Sequence, residues 1–333
     1  MHTKPALTLD DVESARRRLA GGLRLTPCAI APALSAAVGS TIWLKREDLQ
    51  RTGSFKERGA RHALLCLTPE ERARGVVAAS AGNHALGLAY HGGMLGVKVT
   101  VVMPTGAAVV KVARCRGLGA EVVLHGENFD AAQARALELA ASTGATMVSP
   151  FNDPRVVAGQ GTMALEAVVQ VPAFDTFVVP VGGGGLLAGS ATVLKALRPS
   201  VRIVAVEAEH AAKFSAARRH GGPQVVPVRP SLADGLAVAR IGDLTFALAA
   251  PLVDDCVTVT EDELAAALSL LARTTGIVAE GAGAAALAAV LAGKVRGRAL
   301  VLPVAGRNID PQVHSEAVVR GENWTPPLTH AAA

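Results

Sequence analysis

Aromatic side chains are scarce. Only 3% of the 333 residues are Phe, Trp or Tyr, with a single tyrosine. No basic run interleaved with aromatics is present, so the chain lacks the composition of a nucleic-acid binder. Cysteine is scarce too. Cys28, Cys66, Cys115 and Cys256 lie far apart with no CxxC pairing, which argues against a disulfide framework and suits reduced thiols in the cytoplasm. Each is expected as a small buried apolar residue. No HExxH or Cys/His cluster marks a metal site. Long apolar runs are also missing. The most apolar stretch, Gly281 to Gly293, is too short to cross a bilayer and predicts a buried helix. Met1 to Leu9 carries charge and lacks the apolar core of a signal peptide.

Half of the residues are hydrophobic, mostly alanine, valine and leucine, which suit helices laid closely on a parallel sheet. The length fits one large domain or two ordinary ones. A net charge of +5 points only weakly to anionic ligands.

From Gly75 the pattern alternates. Strands are predicted at Val76–Ala79, Val97–Met103, Glu121–Leu124 and Thr146–Val148, with helices at Asn83–Leu95, Ala107–Leu118 and Phe129–Thr143. A second series has helices at Arg155–Val171, Leu186–Leu197, Ala211–His220, Asp243–Leu252 and Glu280–Ala292, and another capped by Thr260. Its strands fall at Phe177–Val181, Ile203–Val206, Val257–Val259 and Ala299–Val304. Such alternation implies right-handed crossovers and parallel sheets. Before it, Thr8–Asp11 reads as a capping box and Pro69 as the start of a short helix. Leu23 to Pro32 reads as a loop, and the tail after Val319 as a fraying end.

Three stretches carry chemistry. The first is Trp43 to Ala60. Ile42–Lys45 reads as a strand, Thr52-Gly53-Ser54 as a turn, and Phe55–Leu67 as a helix with Ser54 as N-cap. Lys56 then falls in the first helical turn, where the helix dipole disfavours a cation. Desolvated there, its pKa would drop, making it a candidate Schiff-base nucleophile. The second stretch, Gly182 to Gly185, follows a strand and opens a helix, so its backbone N–H groups can crowd an anion. A dinucleotide loop is the rival reading: Gly183, Gly185 and Ala188 meet the relaxed spacing, and Glu207 ends the next strand. In the third, Ser80 to His84, a strand end meets a helix start whose free N–H groups suit a carboxylate.

Ser54-Phe55-Lys56-Glu57-Arg58-Gly59-Ala60 resembles the S-F-K-x-R-G-A signature of the fold-type II pyridoxal-phosphate enzymes, and more narrowly the threonine/serine dehydratases (ammonia-lyases). The likeness runs from Leu9 to Asp310. It includes Lys45-Arg46-Glu47-Asp48, Ser80-Ala81-Gly82-Asn83-His84, Ala158-Gly159-Gln160-Gly161-Thr162, Pro180 to Gly185 and Ala233-Asp234-Gly235.

The resemblance implies two doubly wound α/β sheets of tryptophan synthase β-like type. A small domain, 75–152, is inserted in a larger one, 1–74 and 153–333, with no C-terminal regulatory domain. It implies that Lys56 holds pyridoxal 5'-phosphate, with Phe55, Asn83, Gly182, Gly183, Gly184, Gly185, Leu186 and Ala305 around the cofactor and Asn83 on its phenolic oxygen. Ser80, Ala81, Gly82, Asn83, His84 and Gly235 would surround the substrate. The implied reaction is β-elimination from L-threonine or L-serine, with the leaving hydroxyl protonated through the cofactor phosphate, giving a 2-oxo acid and ammonia. Hydroxyaspartate, phenylserine and hydroxyectoine-type substrates stay open, with Arg307 a candidate for a second carboxylate or a plain surface residue. A homo-oligomer, in its simplest form a dimer, is expected.

The departures inform. Ala81 stands where serine racemases have a catalytic serine, and Phe151 where dehydratases commonly have an aromatic; both favour elimination. Ala305 replaces the serine that meets the pyridine nitrogen, leaving water, Asn308 or Glu280 as candidates, or the nitrogen unpaired. Lys213 stands where metal-activated relatives have an acidic residue. Its ammonium would replace the cation, against the alternative of an exposed helix lysine. Beside the pyridoxal-phosphate reading stand a racemase, a non-catalytic phosphate binder and a nicotinamide dehydrogenase.

Overall fold

The computed structural model describes residues 7–325. The chain opens with α1 (Leu9–Leu19), closed by the expected capping box between Thr8 and Asp11. The next stretch departs from expectation. Part of the predicted loop is β1 (Cys28–Ile30), followed by α2 (Pro32–Val38) and then β2 (Thr41–Lys45). β1 is too short to show a period of its own. It is held by antiparallel pairing with β2, Cys28 opposite Lys45 and Ile30 opposite Trp43.

The alternating stretch contains α3 (Lys56–Leu65), α4 (Pro69–Arg74), β3 (Val76–Ala79), α5 (Asn83–Leu95) and β4 (Val99–Met103). It continues with α6 (Val109–Gly117), β5 (Glu121–Leu124), α7 (Phe129–Thr143) and β6 (Thr146–Met147). The second series is α8 (Pro154–Gln170), β7 (Thr176–Pro180), α9 (Gly185–Leu197), β8 (Arg202–Ala208), α10 (Lys213–His220) and α11 (Asp243–Ala249). It ends with β9 (Asp255–Val259), α12 (Glu261–Thr275), α13 (Gly281–Leu291), β10 (Ala299–Pro303) and α14 (Pro311–Glu322). Most predicted boundaries move by one or two residues. α14 is a larger correction, since helix continues past Val319 to Glu322. Asp310 caps it with Pro311 at its first position, and Gly321 lets it lie on α12: a Cβ there would sit 2.1 Å from the Ala265 carbonyl oxygen. Close packing thus overrides a polar sequence.

Two sheets result. One has six strands in the order β1-β2-β10-β7-β8-β9, parallel except for β1. The other has four parallel strands, β5-β4-β3-β6. Both are α/β layers with buried strands: every residue of β3 and β7 is inaccessible. In the larger sheet the chain leaves β7 for β8 and β9 on one side and returns as β10 on the other. The reversal lies between β10 and β7, and in open α/β sheets such a switch point marks the ligand crevice.

Glycines set the helix spacing around this crevice. A Cβ on Gly159 would meet the Arg58 carbonyl oxygen at 2.6 Å, and one on Gly189 would meet the Val157 carbonyl oxygen at 2.5 Å and Gly161 N at 2.7 Å. The Ala158–Thr162 motif is therefore a seam joining α3, α8 and α9. Two cysteine expectations fail: Cys28 and Cys115 are buried, but Cys66 and Cys256 are only half-buried. Cys66 sits at the α3 C-cap and accepts from Arg18, which keeps it at the surface. Cys256 packs against Ser215 and Glu207. Among the described residues no helix is long and apolar enough to cross a membrane.

Gly→Ala usually stabilises a helix by up to about 1 kcal/mol. At Gly189 a backbone clash opposes this, and overpacking typically costs about 1–3 kcal/mol. Gly189→Ala should therefore unfold at lower denaturant than the parent, whereas Gly117→Ala, with open space around it, should not. Chemical denaturation of the pair checks this, and a stabilised Gly189→Ala would show that the helices can separate freely.

Candidate active site

α3 begins one residue later than its sequence suggests. Ser54 is not a side-chain cap. Its backbone forms an antiparallel bridge with Gly306, its hydroxyl is buried without a partner, and Phe55 is the N-cap residue. Phe55 N donates to the Ala305 carbonyl at 3.1 Å, so the start of α3 is tied to the end of β10. Lys56 is the first residue of α3 and so lies in the first helical turn, as expected. Its Nζ donates to the Pro150 carbonyl at 2.9 Å and lies 5.4 Å from the Phe55 ring centre. Burial lowers its pKa to about 8, partly offset by Glu280.

The turn before Lys56 is anchored by a buried ion cluster. Arg58 Nε and Nη2 donate to the two Glu47 oxygens, both at 2.7 Å, while Nη1 and Nη2 reach Glu166, also at 2.7 Å each. Lys45 joins from β2, donating to Glu166 and to the Thr26 carbonyl. The resemblance marked Lys45 and Glu47 only as motif members; the cluster gives them a physical role.

Across the cleft is the loop after β7. Gly184 has φ +92°, a backbone angle that favours glycine. A Cβ on Gly183 would fall 2.0 Å from the Phe151 ring, and one on Gly182 would sit 3.0 Å from the Gly235 carbonyl oxygen. Among the described residues, no acceptor meets the N–H of Gly182, Gly183, Gly184, Gly185 or Leu186. Five unpartnered donors at a helix N-terminus fit a phosphate. Glu207 does not support the dinucleotide alternative. Its carboxylate is fully buried and accepts from Phe214 N, Ser215 N and Ser215 Oγ at 2.7–2.9 Å.

Lys213 corrects the surface reading, because it is fully buried. Its Nζ donates to the carbonyls of Val181 (2.6 Å), Ala211 (3.0 Å) and Leu236 (2.9 Å), 3.7 Å from Glu207. Two of those carbonyls flank the glycine loop and the Gly235 turn.

The loop after β3 leads into α5 through Gly82. Ser80 Oγ accepts from Gly82 N at 3.2 Å, and the N–H groups of Ala81, Asn83 and His84 meet no acceptor among the described residues. His84 Nε2 donates to the Val148 carbonyl at 3.2 Å, leaving buried Nδ1 unpartnered. Burial and then Lys56 hold the imidazole down to about 3, so it is neutral. Asn83 Nδ2 donates to Glu280 at 2.7 Å. Glu280 is buried, and burial followed by Asp234 raises its carboxyl to about 8.

The predicted site residues meet in one cleft of about 1180 Å³. Phe55, Lys56, Ser80, Ala81, Gly82, Asn83, His84, Gly182, Gly183, Gly184, Gly185, Leu186, Gly235 and Ala305 line it, with Phe151, Glu280 and Asn308. Arg307 is exposed, packs on Gly53 and does not line the cleft. A smaller hollow of about 350 Å³, beside Ser269 and Trp324, shares no residue with it. An amine of lowered pKa in the same cleft as five free amides suits an aldehyde-bearing phosphate cofactor. The family model described as pyridoxal-phosphate dependent enzyme matches residues 19–306.

The chain belongs to the pyridoxal-phosphate dependent enzyme family. Within that family it stands with the threonine dehydratases. It is 44% identical to an L-threonine ammonia-lyase of Thermotoga maritima, over 95% of this chain and 79% of that one. It is 42% identical to the catabolic L-threonine dehydratase of Escherichia coli, over 91% and 94% of the two chains. Among solved structures, threonine deaminase isoform 2 of Solanum lycopersicum superposes with a TM-score of 0.87 at 35% identity, over 96% of each chain. Maize serine racemase gives 0.90 at 30% identity, over 95% and 98%.

As a pyridoxal-phosphate enzyme the protein must offer an uncharged amine to its cofactor. With Lys56 lowered to about 8, the neutral fraction grows as pH rises and saturates above that value. Pyridoxal-phosphate uptake by the apoenzyme, followed by visible absorbance, should accelerate with pH and level off a little above 8. Uptake that is flat from neutral to alkaline pH would show that the amine is already uncharged.

Proposed function

We propose that the protein is a pyridoxal-phosphate dependent ammonia-lyase that converts L-threonine or L-serine to a 2-oxo acid and ammonia by β-elimination. The observation that carries it is Lys56 Nζ in the same cleft as the five free amides of Gly182 to Leu186. Lys56 holds the aldehyde carbon of the cofactor. The glycine-loop amides would hold its phosphate, and the Asn83 side-chain amide would meet its phenolic oxygen. The Ala81, Asn83 and His84 amides take the substrate carboxylate. Pyridoxal phosphate, when bound, supplies the electron sink for α-proton removal.

Lys56 would accept the α-proton of the bound substrate, and its lowered pKa suits it to that near neutral pH. Loss of the β-hydroxyl as water leaves an enamine, which water converts to 2-oxo acid and ammonia. Neutral His84 adds no competing charge beside Lys56. Ala81 offers no proton donor on the opposite side, which favours elimination over racemisation. The sheet unit at 75–152 is proposed to close on the substrate, and the protein to be a cytosolic homodimer.

Lys213 supports a metal-independent version of this reaction. Its ammonium occupies a carbonyl cage of the kind a cation would order, and it steadies both turns that border the cleft.

The holoenzyme should show a visible cofactor band and release 2-oxo acid from L-threonine or L-serine, with no D-serine in the remaining substrate. Lys56→Ala should lose the band and about 10³-fold or more in turnover. A panel of 3-hydroxy amino acids, including hydroxyaspartate and phenylserine, identifies the preferred side chain. Absence of both band and 2-oxo acid release would sink the assignment. Turnover should not respond to magnesium or a chelator, and a several-fold rise with magnesium, reversed by the chelator, would refute the role of Lys213.

A further inference from the structure

Asn308 gathers four pieces of chain at the cleft edge. Its Nδ2 donates to Asn83 Oδ1 at 2.6 Å and to the Thr52 carbonyl at 2.8 Å. Its backbone N–H donates to Glu280 at 3.1 Å. Its Oδ1 accepts from Nη1 and Nη2 of Arg114, each at 3.1 Å. Both amide protons and both lone-pair directions are therefore engaged. No donor is left for a pyridine nitrogen beside Ala305, so one of the sequence-based candidates for that contact is removed.

The arrangement fixes a choice that Asn83 cannot make alone. A side-chain amide can flip, exchanging oxygen for nitrogen. Here Asn308 donates to the Asn83 oxygen while Glu280 accepts from its nitrogen. Only one orientation satisfies both, and it leaves a single Asn83 Nδ2–H without a partner.

Arg114 comes from α6, beside the four-stranded sheet, while Asn308 follows β10 of the six-stranded sheet. Their contact bridges the two layers at the rim of the cleft. One turn earlier on α6, Lys111 reaches Asp234, next to Gly235, at 3.1 Å. A guanidinium on Oδ1 also polarises the Asn308 amide and strengthens its N–H donors.

We propose that Asn308 is a positioning residue that locks the orientation of the Asn83 amide, and that Arg114 couples this lock to the seating of α6 at the cleft mouth. The inference rests on the proposed contact between Asn83 and the cofactor's phenolic oxygen.

The test uses holoenzymes carrying Arg114→Ala, Asn308→Ala, both together, and Asn308→Asp. Three quantities are read: the visible spectrum and its pH dependence without substrate, the separate kcat and KM values, and the thermal midpoint. Asn308→Ala should shift the visible band or its pH titration and lower kcat about tenfold or more, the scale typical of a lost supporting hydrogen bond, with KM within about threefold. Asn308→Asp keeps an acceptor for Arg114 but has no N–H for Asn83, so it should show the same spectral change even if the alanine variant folds poorly. Arg114→Ala should lower kcat less, and the double variant should be no worse than Asn308→Ala alone. An unchanged spectrum in both Asn308 variants overturns the lock. Effects that multiply in the double variant overturn the coupling through Asn308. A parent holoenzyme without a visible band instead fails the assignment of Lys56, so the two failures are distinguishable.

Discussion

The geometry of the cleft depends on the buried ion cluster around Arg58. Glu47 comes from the turn after β2, Arg58 from α3 and Glu166 from α8, so one guanidinium ties three elements together. Such a cluster is not a cheap source of stability, because desolvating its charges offsets much of their attraction. Its effect is directional. The guanidinium fork accepts carboxylates in one plane only, and Lys56 lies two residues before it on the same helix. Removing one partner would strand a carboxylate that is fully buried, which typically costs about 3–5 kcal/mol. The register of α3, and with it the heading of Lys56, is set by that constraint.

From this fixed point the electrostatics of the cleft follow. Its walls offer free N–H donors from two helix starts, after β7 and after β3, so both sides favour anions. Burial shifts the ionisable groups deepest in the cleft toward their neutral forms. Burial lowers Lys56 and His84 and raises Glu280. Lys213 keeps its nitrogen against carbonyl oxygens behind the glycine loop. Free N–H dipoles at the two helix starts can hold a phosphate and a carboxylate without an ion pair to displace at those two positions.

Much of this could be read from the sequence, because local chemistry decided it. β3, α5, β5 and α7 fall on their predicted residues, where apolar period, turn glycines and caps agree. Ser80 to His84 and Gly182 to Gly185 were legible because each stretch joins a strand end to a helix start, whereas Gly235 and Ala305 came from the family resemblance. What could not be read depends on distant partners. β1 exists only through its pairing with β2, and α14 only through the approach that Gly321 permits. Ser54 looked like a cap, but its backbone is drawn into a bridge with Gly306, some 250 positions away in sequence. Lys213 could not be told from a surface lysine without the carbonyls of Val181 and Leu236. Arg114 and Asn308 gave no local signal of their contact, although Asn308 was a candidate for the pyridine nitrogen beside Ala305.

The fold alone does not choose the reaction. The TM-score to a serine racemase, 0.90, is as high as that to a threonine deaminase, 0.87. Two chemistries therefore share one frame, and the difference must lie in side chains that touch the reacting carbon. Both reactions begin by removing the α-proton. They diverge in what happens next: racemisation needs a proton delivered from the opposite side, whereas elimination needs only that the β-substituent leave. Ala81 lines the cleft with a methyl group, which can deliver nothing. Under the reading proposed above, that missing proton donor is what turns a shared scaffold toward breaking the carbon–oxygen bond.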